Sequence, residues 1–193
     1  MASSVRAGRP RDAERERELL LATQELLAEV GYDRLSIDAV AARCGAGKTT
    51  VYRRWAGKSE LVAEAVALLH GAYPDPDTGS LREDLVMAAS AWHGADAHRD
   101  AVISGLLTAM AHDGELRAAV GAAVTEPRRA VYRAIVDRAV ERGEVPAGRD
   151  VDLVGTVFPA LTFHRITVLA RPVDREFIEQ VVDHIVLPAL TCG

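Results

Sequence analysis

The feature that most limits what this chain can become is the spacing of its apolar residues. They recur at i, i+3/i+4 and i+7 in one segment after another. Leu19, Leu20, Leu26, Leu27 and Val30, with Thr23, make one such stripe, led by acidic residues and stopped by Gly31. Ser36 caps a short helix expected over 37–44, and a Gly45-Ala46-Gly47 turn separates it from another over 48–55. A further helix opens at Lys58 with Leu61, Val62, Ala65, Val66 and Leu69 apolar. Beyond the Tyr73–Gly79 break, helices are expected over 80–96, 99–112, 115–124, 127–142, 150–170 and 174–188. Pro127 restarts one of them, and Pro172 separates the last two. No segment sustains the period-2 alternation of β-branched residues that a strand needs. The expected fold is all-α, with about nine helices.

Composition narrows the class further. Of 193 residues, 49% are apolar, enough to bury a core rather than leave the chain disordered. No charge-free stretch is longer than 153–164, which is far short of a membrane span and is broken by Gly155 and Pro159. The N-terminus has basic residues but no apolar run after them, so it does not read as a secretory signal. Two cysteines supply neither a disulfide framework nor a four-ligand zinc site. The expectation is a soluble cytoplasmic protein with no cofactor.

Charge is unevenly distributed. The net charge is −5, yet segment 34–59 sets Arg34, Arg43, Lys48, Arg53, Arg54 and Lys58 against Asp38 alone, and it holds both lysines of the chain. Arg6, Arg9 and Arg11 add to it from a tail, 1–11, expected to be disordered. An acidic body with a basic end suits a polyanion-binding head, though a solvated surface would look the same by charge alone.

The arrangement inside that segment is more specific. Two short helices crossing steeply need a small residue mid-helix, a residue tolerant of positive φ four positions on, and a β-branched plug six further. Ala41, Gly45 and Val51 stand at those positions. The second helix then offers Lys48, Thr49, Thr50, Tyr52 and Arg53 outward, side chains suited to base edges and phosphates in a major groove. Lys58 lies at a helix start, where free N–H groups also favour a phosphate.

Over Leu19–Val66 the chain resembles the TetR family of transcriptional regulators. The resemblance rests on Gly31-Tyr32, Leu35-Ser36-Ile37, Val40-Ala41-Ala42 with Cys44-Gly45, Thr50 through Trp55, and Lys58-Ser59-Glu60-Leu61-Val62. It implies that Ser36, Tyr52 and Lys58 hold DNA phosphates while the Lys48–Thr50 region faces bases. The Gly-Ala-Gly turn departs from the family pattern and leaves the second helix without a side-chain N-cap. The remainder is similar to the family in architecture: Pro127-Arg128-Arg129 opening a helix and Arg142-Gly143-Glu144-Val145 closing it. The implied organisation is a helix-turn-helix domain over 12–57 and an antiparallel helical ligand-binding and dimerisation bundle over 58–193. Helices 150–170 and 174–190 would pair across a two-fold axis. The implied function is a homodimeric repressor of a double-stranded DNA operator, released by a small-molecule effector. A nonspecific architectural DNA binder is the competing class.

Other motifs weigh less. Gly47-Lys48-Thr49 imitates the end of a phosphate-binding loop, but Ala42 stands where that motif needs glycine. The six histidines include no pair at i, i+4, so a metal site is not expected. Cys44 reads as a core filler before a redox sensor. No nucleophile or acid–base constellation recommends an enzyme. Met87, Trp92, Met110, Tyr132, Phe158, Phe163 and His164 are candidates to line a ligand pocket, with plain core as the alternative. Arg128, Arg129, Arg133, Arg138 and Arg142 read as a solvated face, with Arg133 and Asp137 paired at i, i+4.

Overall fold

A computed structural model describes residues 9–92 and 96–192. The described residues are helical, with no strand among them. In chain order they are α1 (Arg9–Arg34), α2 (Ile37–Arg43), α3 (Lys48–Tyr52), α4 (Lys58–His70), α5 (Leu81–Trp92), α6 (Ala97–His112), α7 (Gly114–Val120), α8 (Glu126–Glu141), α9 (Val151–Gly155), α10 (Val157–Thr167), α11 (Arg175–Val181) and α12 (Leu187–Thr191). α7 joins α8, α9 joins α10 and α11 joins α12 without a loop, leaving nine continuous helical runs, as the periodicity implies.

Proline explains how those runs are joined. The ring has no N–H to donate and collides with the carbonyl four residues back, so an α-helix must widen or bend there. Widened π turns, Gly121–Thr125 and Val182–Val186, stand just before Pro127 and Pro188, and the α9–α10 joint at Thr156 stands just before Pro159. Pro127 therefore does not restart a separate helix, and Pro188 does not end the last one. α1 begins at Arg9, so the expected disordered tail loses its last residues to helix; residues 1–8 lie outside the described ones. α3 ends at Tyr52, earlier than the expected Trp55.

The described residues fall into two compact units. Among them, the first comprises 9–69 and 101–120, the second 70–92, 96–100 and 121–192. In the first, Leu19, Leu27, Leu61 and Val62 are completely buried, and Gln24 on α1 donates to the Ala65 carbonyl of α4 at 2.7 Å. α6 lies against α1 at Gly105, where a Cβ would come within 2.4 Å of the Leu27 carbonyl oxygen. In the second, Leu81, Trp92, Ile135, Val136, Ile178 and Leu190 belong to one buried cluster. The Tyr73–Gly79 break between helices is tied down there. Arg138 reaches Asp75 and the Pro76 carbonyl at 2.7 and 2.8 Å, while fully buried Asp84 accepts from the Thr78 amide and hydroxyl at 2.8 Å each.

Candidate nucleic-acid interface and ligand cavity

Local chemistry builds the first site. The Ser36 hydroxyl oxygen accepts from the Ala39 amide at 3.2 Å and starts α2. At the other end Gly45 adopts φ +59°, so its amide reaches the Ala42 carbonyl at 3.1 Å and the Ala46 amide reaches back to Ala41 at 2.8 Å. That double closure satisfies the last carbonyls of α2 and turns the chain into α3. Arg15 of α1 adds a bond to the Cys44 carbonyl at 2.9 Å. α2 packs on both α1 and α3, with Val40, Ala41 and Val51 buried at the crossing. α3 has no side-chain cap, as the glycine turn implies. Trp55 behind it is buried and donates its ring N–H to Glu64 at 2.7 Å.

Burial of one face of α3 leaves the other outward. Lys48 and Thr49 are exposed, Tyr52 is 49% exposed and Thr50 is half-buried. Arg53 extends beyond them with its side chain 69% exposed. Much of the basic segment's charge is answered internally. Lys48 pairs with Asp38 at 2.8 Å, which holds its ammonium above the usual lysine range. Arg43 grips Glu29 with two bonds of 2.9 and 2.7 Å, and the nearly buried Arg54 is held by Asp12 and the Thr50 carbonyl. Lys58 donates to the Tyr32 carbonyl at 3.0 Å and lies 3.9 Å from that ring's centre. Gly31, at φ +73°, breaks α1 so that Tyr32 swings in, and the Tyr32 hydroxyl meets Ser59 at 2.9 Å. Cys44 is half-buried, its thiol pushed up by desolvation and bonded to the Glu18 carbonyl, which disfavours the reactive thiolate.

The second site is a cavity of about 370 Å³ wholly inside the second unit. Leu85, Ala88, Ala89 and Trp92 line it from α5, and Arg128, Tyr132 and Ile135 from α8. Val154, Gly155, Phe158 and Pro159 close it from α9 and α10, and Val182 and Val186 from the π turn after α11. The Tyr132 ring fits only because Gly155 has no side chain: a Cβ there would stand 2.9 Å from a ring carbon. Burial raises the Tyr132 phenol far above its ordinary range. Of the pocket candidates, Trp92, Tyr132 and Phe158 meet here, whereas Met87, Phe163 and His164 are exposed and Met110 belongs to the first unit.

The arginines of α8 are not a plain solvated face. Arg129 holds Asp152 at 2.8 Å, and Arg133 holds the same carboxylate instead of Asp137, keeping Asp152 well below the usual carboxylate range. Arg128 turns to the cavity wall, a position the residue types did not single out. The signal lay in register: Arg128 is four residues after Val124 and four before Tyr132, on the stripe α8 buries.

No group of three or more potential metal-binding side chains occurs among the described residues, and no helix there is long and apolar enough to cross a membrane. Comparison with known proteins then decides the family. Residues 19–65 match the bacterial regulatory proteins of the tetR family, and residues 75–185 match the tetracyclin repressor-like C-terminal domain. The chain belongs to the TetR family. Over 180 residues it is 38% identical to the DNA-binding transcriptional repressor TetR of Mycobacteroides abscessus, covering 91% of this chain and 93% of that one. An uncharacterized HTH-type transcriptional regulator of Mycobacterium tuberculosis is 35% identical over 96% of this chain and 94% of its own. Among solved structures, the TetR family transcription regulator SCO0332 superimposes with a TM-score of 0.68 at 27% identity, covering 90% of this chain and 97% of that one. This TetR-family protein is accordingly a helix-turn-helix transcriptional regulator.

Proposed function

We propose that this regulator is a homodimeric repressor that grips a near-palindromic double-stranded operator and is released by a small-molecule effector. The carrying observation is the outward face of α3, where Lys48, Thr49, Tyr52 and Arg53 stand clear of the core on a helix that Val51 anchors. Lys48, Thr49 and Thr50 read base edges, while Tyr52 and Arg53 meet phosphates. Ser36, whose oxygen already accepts the cap bond, has its hydroxyl proton left to donate to a phosphate. Lys58 contributes charge from the start of α4 while bracing Tyr32.

Exposed apolar side chains support dimerisation. Leu153, Phe163, Val168 and Leu169 on and just after α9–α10 are 65%, 45%, 63% and 48% exposed, and Ile185 is 41% exposed. Helices 150–170 and 174–190 covering those faces against a second copy would place two α3 helices in successive major grooves, about 34–36 Å or a multiple apart. An effector in the cavity of the second unit favours a state of the dimer that the operator cannot match, a population shift driven by differential affinity. Repression is supported by the named activity of the Mycobacteroides abscessus relative.

Fluorescence anisotropy on DNA flanking this protein's own gene, with excess unrelated competitor and a salt series, tests the reading. Competitor-resistant binding whose logarithm falls steeply with log salt is expected. Binding abolished by competitor on every genomic fragment selected would overturn it in favour of nonspecific binding.

A further inference from the structure

The walls of the cavity are mostly aliphatic and aromatic, and Thr125, Glu126, Arg128, Arg129, Asp152 and Thr156 supply its polar edge. Arg128 forms no ion pair among the described residues; its guanidinium carbon lies 6.0 Å from the centre of the Trp92 ring. The other charges at the cavity answer one another, Arg129 with Asp152 at 2.8 Å and with Glu126 at 3.5 Å. Two further donors are buried there without a partner, the Trp92 ring N–H and the Tyr132 hydroxyl. A partly desolvated, unpaired cation and two orphaned donors around one cavity cost stability unless something supplies acceptors. Desolvation already pulls the Arg128 guanidinium below its ordinary range. His70, close enough for Arg128 to repel its protonation, is kept neutral and offers no anion.

We infer that the effector of this regulator is a hydrophobic carboxylate, its anion held by Arg128 with help from Trp92 and Tyr132 and its apolar body packed on Leu85, Ile135 and Phe158. A planar guanidinium offers two parallel N–H bonds to a carboxylate, a match that neither an alcohol nor an amine reproduces. The inference rests on the reading of this cavity as the effector site, and the test keeps the two apart.

Decanoate and 4-phenylbutyrate are titrated into the full-length protein without DNA, by calorimetry, beside decanamide, decanol and decylamine. An aliphatic and an aromatic acid distinguish the two sources of the same headgroup. At least one acid is expected to bind roughly tenfold or more tightly than every neutral or cationic analogue. Arg128→Gln should erase that preference and Arg128→Lys should keep part of it. Without ligand, Arg128→Met should melt no lower than wild type, because it removes an unpaired desolvated charge; that outcome also establishes that the site variants fold. Equal binding of amide or amine, no binding by either acid, or acid preference surviving Arg128→Gln overturns the inference. Operator release is measured separately by anisotropy. An acid that binds through Arg128 but releases no operator leaves the ligand class standing and removes the effector reading. Release by an uncharged or cationic compound does the reverse.

Discussion

Lys48 faces a competition that its counterion Asp38 sets up. Both side chains are more than half exposed, so their ion pair contributes little to folding, but it must open before Lys48 can reach a base or phosphate. Asp38→Asn should therefore leave stability unchanged and raise affinity for DNA of any sequence severalfold, whereas Lys48→Ala should lower it; anisotropy at one salt concentration reads both. Weaker binding by Asp38→Asn would mean that the pair positions Lys48 instead of restraining it. Tyr52→Ala should weaken binding to all sequences alike, while Thr49→Ala should change the preferred sequence. In the second unit His70 is buried beside Arg128 and Arg99, and desolvation lowers it to about 4. The unfolded chain takes up that proton near pH 6.5 and the folded chain does not until near pH 4, so the stability it contributes is full above pH 6.5 and is lost as pH falls. Between pH 7 and pH 5 the loss is about 2 kcal/mol. Denaturant titrations at the two pH values should show that difference in wild type and its disappearance in His70→Gln.

At the scale of elements, legibility followed the range over which each feature is specified. The helix-turn-helix lies within 36–58, and its determinants are local: a cap at Ser36, a left-handed turn at Gly45, a plug at Val51. Spacing alone exposes such a device. The cavity draws on α5, α8, α9–α10 and the turn after α11, and residue type cannot say how each of those helices is rotated. On α5 the cavity residues Leu85, Ala88, Ala89 and Trp92 follow i, i+3, i+4, i+7, which puts Met87 about 200° round from Leu85 and into solvent. Trp92, Tyr132 and Phe158 were legible as large residues on central helices, and Arg128 was hidden by its charge. Gly105 was illegible for a related reason, since nothing in α6's own sequence reports the α1 carbonyl against it. Its replacement is correspondingly informative. Gly105→Ala forces a methyl group against backbone that cannot rotate aside and should cost about 1–3 kcal/mol. Gly121→Ala, with nothing within 4 Å of the added carbon, should change stability by no more than about 1 kcal/mol in either direction. Urea titration of the two variants compares them directly, and equal stability would mean that α1 and α6 separate easily.

At the scale of the whole molecule, the proposed dimer would gain its affinity for an operator from two heads acting together. A five-residue α3 supplies few contacts, so one head on one half-site binds weakly. Tethering a second head makes the second binding event intramolecular and multiplies affinity by roughly 10²–10⁴ without any new contact. The apolar side chains left in water on α9–α10 are where that tether is proposed to form. Phe163→Asp, at a position 45% exposed in the single chain, should leave the fold of each subunit intact while placing a charge in the interface. The variant is expected to elute as a monomer by light scattering, to bind an isolated half-site as wild type does, and to lose the full gain on the palindrome. A variant that stays dimeric would move the interface off these helices. One that becomes monomeric yet keeps palindrome affinity would show that the two heads never cooperated through it.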